Sequence, residues 1–413
     1  MWRIGTPGDH GGGLIFDEKY YVNAARVLLR LSVPCAGSQC DPYATMPRGI
    51  DPNPEQPPLG KLLVAAGIRL YGDNPFGWRF FPIVFGSLAI LAIYWLVRSA
   101  GGGPWLALGA AALMSVDNLA LVHGRIATLD IFVLTFMLVG VAFYLRGRPV
   151  LAGVALGIGA CIKLVAPEAL IVLLFLELGR FAVHKGWRVQ GVWRAVPRRL
   201  LPFVVCLAVT AGVYAAGLTA LDAVVKPFHN PSDICPGSGS TYSNFLAHTR
   251  FMVCYAGRLT SPNGPLGIAS YPWDWLLNQL PINYFTSDVT VSAGGQVISK
   301  HSVIAFIGEM NPAIILLALP ALALCIDMAI RAKDDLSILV VAWFAGTYLP
   351  FLEFSLVQQR TSYLYYMLVV MPAVYIGVAR LMSRRWLPWP VLVGYIAILG
   401  YEFIALYPLR TLT

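Results

Sequence analysis

Residues 76–98 read FGWRFFPIVFGSLAILAIYWLVR, an apolar run whose two charges, Arg79 and Arg98, sit near its ends. At 1.5 Å per residue a helix of this length crosses the ~30 Å of hydrocarbon in a bilayer. The pattern recurs. Further candidate spans fall near 102–117, 128–145, 149–165, 167–183, 200–222, 303–330, 336–352, 362–380 and 389–408, about ten in all. The run at 102–117 is short, and 149–165 contains Lys163. Composition agrees: 57% of the 413 residues are hydrophobic and 12% charged, against about 25% charged in soluble domains. The mean hydropathy is +0.67. The sequence predicts an all-α, polytopic transmembrane bundle.

The formal charge of +9 does not indicate nucleic acid, because the basic residues gather in short links between apolar runs. Arg98 ends the first run, and Arg146 with Arg148 follow the third. Arg180, Lys185, Arg188, Arg194, Arg198 and Arg199 fill the link before the sixth, Arg331 and Lys333 follow the seventh, and Arg380, Arg384 and Arg385 follow the ninth. Every second link is therefore basic, which places those links in the cytoplasm. The links holding Asp117–Arg125, residues 223–302 and Glu353–Arg360 then lie outside, as does the N-terminal segment. The start of the chain is polar and glycine-rich and lacks the features of a cleavable signal peptide. An outer N-terminal segment with no span before it leads us to expect a first helix missing from this chain. The expected organisation is an outer segment at 1–75, a first bundle at 76–222, an outer loop at 223–302 and a second bundle at 303–413. No fixed-period internal repeat is evident.

Two stretches of the outer segment read as amphipathic helices. Residues 16–33, FDEKYYVNAARVLLRLSV, put Tyr21, Ala25, Leu28 and Leu29 on one face and Arg26 and Arg30 on another, as in a helix lying in the interface. Residues 57–71, PPLGKLLVAAGIRLY, start at Pro57-Pro58, which preset the first turn. The long outer loop carries the aromatic string Tyr271-Pro272-Trp273-Asp274-Trp275, and a loop of such length is usually functional. Cys35 with Cys40, and Cys235 with Cys254, are two outside pairs suited to an oxidising compartment, with free thiols the alternative. Cys161, Cys206 and Cys325 fall in spans, and no spacing fits a zinc site.

Asp17 and Glu18 head a helix, where carboxylates interact well with the dipole. One reading is a plain cap. The other is a general base near the membrane surface, able to take a proton from a hydroxyl. Asp130 follows Arg125 in GRIATLD, where an outer link enters a span; an ionisable residue there is a site candidate, although the two also suit a structural pair. Lys163 and Glu168 flank another outer turn and read as an interfacial ion pair. Arg360, in QQRTSYLYYM, reads either as an interface anchor within an aromatic belt or as a phosphate ligand. A carboxylate base and several cations on one face suit glycosyl transfer from a polyprenyl-phosphate sugar, with the departing phosphate stabilised electrostatically. Composition alone does not separate this from a transporter.

FDEKYYVNAARVLL, then PPLGKLLVAAGIRLYGDNPFGWRFFPIVFG and GRIATLDIFV, resemble the protein O-mannosyltransferase family, membrane glycosyltransferases of the C type. The likeness continues through YPWDW, IGEMNPAIILLALPALAL and QQRTSYLYYMLVVMPAVY, so it covers almost the whole chain. The resemblance implies the C-type fold with one span more than the ten or so counted here. It also implies inverting transfer of mannose from a polyprenyl- or dolichyl-phosphate carrier to Ser or Thr hydroxyls of exported proteins. Asp17 would then be the base and Glu18 would complete the acidic pair that holds the acceptor. Arg125 and Arg360 would match basic positions around the donor phosphate, Lys61 would help there, and Asp130 would be a supporting acid. The family commonly has His before PPLGK; here Gln56 stands, which hydrogen-bonds but does not titrate. No resident cofactor is expected beyond the lipid-linked donor, no residue is assigned to a metal, and a metal requirement is left open. The expected partners are that donor, secreted or membrane acceptor proteins and the bilayer, with no nucleic acid. The expected location is a bacterial cell membrane with the site facing out.

Two rivals stand beside this reading. A lipid-carrier glycosyltransferase acting on a lipid or glycan, such as the aminoarabinose transferases, would show an arginine–tyrosine pair soon after the acidic pair and a KPPL string. This chain has Lys19-Tyr20-Tyr21 and QPPLGK instead. A transporter would gather ionisable residues and broken helices at the bilayer midplane, whereas these charges gather at one surface.

Overall fold

The computed structural model describes residues 13–36, 39–184, 192–229, 235, 244–294 and 296–407, and it is mostly helical. Helix α1 (Glu18–Leu28) forms where the first amphipathic pattern predicts, but it does not lie in an interface. Tyr21 to Val27 are all buried in protein. Arg26, on the face read as polar, is only 5% exposed. Its guanidinium donates to Asp73 at 3.0 and 3.1 Å and to Asn23 at 2.8 Å, and lies 5.0 Å from the Trp78 ring. A matched counter-charge lets the polar face be buried too. A small hairpin follows, β1 (Cys35–Ala36) against β2 (Gln39–Cys40), closed by a Cys35–Cys40 disulfide. Helix α2 (Leu59–Tyr71) starts directly after Pro57-Pro58, as expected.

The apolar run of the opening becomes α3 (Pro75–Ser99), capped by the Asn74 side chain on the amides of Phe76 and Gly77. Then come α4 (Pro104–Val116), α5 (Asn118–His123), α6 (Asp130–Leu145), α7 (Pro149–Ala160), α8 (Glu168–His184) and α9 (Val192–Val224). The basic link at 185–191 lies outside the described residues. In the loop after α9, α10 (Phe245–Arg258) is tied by a Cys235–Cys254 disulfide, and YPWDW folds as the single turn α11 (Pro272–Trp275) with Trp275 fully buried.

A long antiparallel hairpin then corrects the all-α expectation. Strand β3 (Ile282–Ala293) pairs with β4 (Gln296–Gly308), so the loop expected to end at 302 runs on and the span expected at 303–330 starts late. The five apolar residues from Val303 to Ile307 are as compatible with a strand as with a helix, and the β-branched residues on both arms favour the strand. The chain re-enters helix at α12 (Pro312–Ile315) and continues through α13 (Ala318–Arg331), α14 (Asp335–Leu356), a 3-10 turn at Leu364–Tyr366, α15 (Met367–Met382) and α16 (Trp389–Leu406).

Six helical segments among the described residues are long and apolar enough to cross a bilayer, which makes this an integral membrane protein; the apolar helices α4, α6 and α7 are shorter. The count of about ten spans is therefore not reached by length alone. The core is centred on α15, buried from Met367 to Ala379 and packed against α4, α13 and α14.

Candidate active site

Asp17 precedes α1 and lines a cavity of about 490 Å³. The turn that puts it there is unusual: Phe16 adopts φ +53°, and the Asp17 carbonyl then accepts from the amides of Tyr20 and Tyr21. The Asp17 carboxyl lines the cavity together with Asp130, Gln56 and Arg360, so four of the seven residues selected from sequence meet in one place. Burial pushes the Asp17 carboxyl up to about 6; Lys163 pulls it down, Asp130 adds to the rise and Lys19 opposes it. Such a value suits a base working near neutral pH.

Lys163 also belongs here. It donates to Asp130 at 2.6 Å rather than pairing with Glu168, which lines the cavity separately. The tyrosines beside Arg360 are not an interfacial belt. Tyr363, Tyr365 and Tyr366 form the cavity's aromatic wall, with Tyr365 only 8% exposed and Tyr366 stacked on Phe351 at 5.0 Å. Lys163 and Arg360 each lie 5.9 Å from the Tyr366 ring, within cation–π reach. Arg360 is held by a 3.0 Å bond from its Nε to the Ala256 carbonyl.

The other three candidates stand apart from the cavity. Glu18 is fully buried: its carboxylate accepts from Arg79 at 2.8 and 2.6 Å and from the amides of Ile15 and Ala127, both at 2.8 Å. All its acceptor capacity faces protein, so it fixes the turn under Asp17 instead of holding a ligand. Lys61 is fully buried, paired with Asp51 and bonded to the carbonyls of Asn53 and Gln56, which braces the segment that presents Gln56. Arg125 donates to the Tyr407 hydroxyl at 3.2 Å and lies 5.2 Å from that ring. Lys163, Glu55, Glu168 and the aromatic wall also line the cavity, and the sequence pattern marks only the Lys163–Glu168 turn and the three tyrosines, neither as a site. Glu55 carries no distinguishing signal. Among the described residues no cluster of three or more His, Cys, Asp or Glu side chains is arranged to hold a metal.

A carboxylate sharing a cavity with two cations, at one end of an apolar helical bundle and walled by tyrosines, is an arrangement suited to a membrane glycosyltransferase. The fold matches the Saccharomyces cerevisiae protein O-mannosyltransferase Pmt1-Pmt2 complex bound to the sugar donor with TM-score 0.66, at 12% identity over 96% of this chain and 86% of that one. It also matches ArnT from Cupriavidus metallidurans bound to undecaprenyl phosphate, TM-score 0.54, 16% identity, over 94% and 60% of the chains. The chain is similar to members of the protein O-mannosyltransferase family. The family model for dolichyl-phosphate-mannose-protein mannosyltransferases matches residues 55–217. Polyprenol-phosphate-mannose–protein mannosyltransferases are similar along almost all of it: one from Mycolicibacterium smegmatis is 25% identical over 99% of this chain and 86% of the relative. One from Mycobacterium tuberculosis is 26% identical over 97% and 83%.

Proposed function

We propose that this protein transfers a mannosyl residue from a polyprenyl-phosphate-mannose donor to Ser or Thr hydroxyls of exported proteins, with inversion, at the outer face of a bacterial cell membrane. The observation that carries the reading is the single cavity in which Asp17 faces Lys163 and Arg360. The names of the relatives supply the sugar and the acceptor class. In the proposed step the acceptor oxygen forms a bond to the anomeric carbon as the bond from that carbon to the phosphate oxygen breaks. The hydroxyl proton goes to Asp17, and the bonding pair leaves with the phosphate, whose developing charge faces Lys163 and Arg360. Attack from the side opposite the leaving phosphate inverts the carbon. Asp130 keeps Lys163 in place, Gln56 offers a hydrogen bond without titrating, and the tyrosine wall gives the sugar a flat apolar surface. Arg360 keeps the phosphate role that the resemblance implies for it, and Lys163 stands there in place of Arg125 and Lys61. A C-type arrangement with about ten spans in this chain belongs to the same proposal. The only cofactor proposed is the lipid-linked donor itself.

Asp17→Asn is expected to abolish transfer to a Ser/Thr peptide, assayed with purified protein and polyprenyl-phosphate mannose, while donor binding persists. Wild-type activity in that variant would remove the base assignment. Wild-type protein that transfers no mannose to any peptide, but glycosylates a lipid, would favour the lipid-acceptor reading.

A further inference from the structure

The β3–β4 hairpin carries one side chain into the neighbourhood of the site. Pairing steps from Asn283 opposite Ile307 to Phe285 opposite Phe306, which leaves Tyr284 without a partner at a bulge. Bulges re-aim a side chain, and they concentrate beside active sites. Here the aim is specific. The Tyr284 ring stacks on Phe16 with centroids 4.2 Å apart and planes 18° apart, and Tyr365 packs on Phe16 edge-on at 5.5 Å. Gly308 makes the room, since a Cβ there would come within 2.4 Å of the tyrosine ring. The strand end is anchored in turn by Asn118, whose side-chain amide donates to the carbonyls of Ile307 and Glu309.

The hydroxyl end is fixed too. Tyr284 Oη lies 2.9 Å from His123 Nε2, and His123 Nδ1 lies 3.1 Å from Thr128 Oγ1, two residues before Asp130. His123 is fully buried, and burial holds it neutral with a value lowered to about 4. A neutral ring has one donor and one acceptor nitrogen, and both are used. Phe16, whose left-handed backbone conformation is uncommon for a non-glycine residue, is thus pinned from two sides, and Asp17 is the next residue.

We propose that Tyr284 is a positioning residue for the Asp17 carboxylate, acting through the stacked Phe16 ring. The inference rests on the reading of Asp17 as the base. It makes the outer hairpin part of the catalytic apparatus, coupling a strand over 260 residues away in sequence to the turn that aims the carboxylate.

The test is steady-state kinetics of the full chain with polyprenyl-phosphate mannose and a Ser/Thr peptide, alongside equilibrium binding of the donor. Tyr284→Leu is expected to lower kcat on the order of 100-fold, the size of effect that a small misplacement of a reacting group produces, with the donor KM within about threefold. Tyr284→Phe keeps the ring and is expected to stay within about tenfold of wild type, the loss being that of the His123 hydrogen bond. The acidic limb of kcat should move in Tyr284→Leu from near pH 6 toward the ordinary carboxylate range, because the freed turn lets water reach Asp17. Unchanged kcat and limb in Tyr284→Leu would overturn the proposal, as would equal losses of donor binding and kcat in both variants. If Tyr284→Leu is not recovered folded, Gly308→Ala decides instead by displacing the ring: a kcat loss at constant donor KM supports the proposal, and unchanged kcat overturns it. Absence of mannosyl transfer by wild-type protein would defeat the underlying functional reading, an outcome separate from all of these.

Discussion

Asp17 keeps its carboxyl in the cavity while Glu18, one residue on, has every oxygen committed to protein donors. The two therefore answer differently to substitution. A carboxyl whose folded value is raised from 3.8 to about 6 binds its proton more tightly in the folded state. Its contribution to stability is full below about pH 4 and is lost as pH rises through 6. At pH 7 the ionised Asp17 is thus a cost to the fold, and Asp17→Asn should melt no lower than wild type there. The same value predicts an activity profile: log kcat rises with slope one below about pH 6 and levels off above it, because only the ionised carboxylate accepts the proton. A pH–rate series checks this, and a flat profile from pH 5 to 8 would exclude Asp17 as the titrating base. Arg79→Met, by contrast, leaves Glu18 buried and unpaired and should cost about 3–5 kcal/mol, seen as a lowered midpoint in thermal unfolding. Adding Glu18→Leu should recover part of that loss. An adjacent acidic pair in sequence gives no hint of this division, since burial partners such as Arg79 and Ala127 come from 61 and 109 residues away.

Elements differ in how far their own residues announce them. Helix α3 is written in its apolar run and its Asn74 cap, and α2 in Pro57-Pro58, because both depend on local periodicity and backbone restriction. The hairpin is not, because the apolar stretch from Val303 to Ile307 reads the same in a strand and in a span until its partner strand is known. The burial of α1 was hidden for a related reason: Arg26 reads as a polar-face residue until Asp73 and Trp78 are seen to enclose it. Helices α2 and α3 touch through glycine. A Cβ at Gly67 would lie 2.2 Å from the Gly77 carbonyl oxygen, and one at Gly77 would lie 2.1 Å from that of Gly72. These obstacles are backbone, so neither can yield without moving a helix. Gly67→Ala should destabilise by about 1–3 kcal/mol despite alanine's better helix propensity, and thermal unfolding measures it. A midpoint equal to or above that of wild type would mean the helices can part freely.

Across the whole molecule, the cavity residues and the basic links sit at opposite ends of the same helices. Helix α6 begins at Asp130 and is followed by Arg146; α8 begins at Glu168 and carries Arg180 near its other end; α15 begins beside Tyr366 and carries Arg380 near its close. The basic ends are cross-braced, Arg180 to Asp335 at 3.1 Å, Arg380 to Asp334 at 2.8 Å and Arg146 to Ser99 at 2.9 Å. Charge alternation read from sequence is thus mirrored by a division in space, while the partners around the cavity come from stretches that only the fold brings together. If the basic ends face the cytoplasm, as the positive-inside rule requires, the cavity opens outward. Cysteine labelling tests this cleanly, because Cys161, Cys206 and Cys325 are buried and the other four cysteines are paired in disulfides. Leu266, 79% exposed between α10 and α11, and Trp386, 67% exposed between α15 and α16, are suitable sites. Leu266→Cys should react with a membrane-impermeant maleimide in intact cells, and Trp386→Cys only after permeabilisation. The reverse pattern would turn the cavity toward the cytoplasm and exclude exported proteins as acceptors at the outer face.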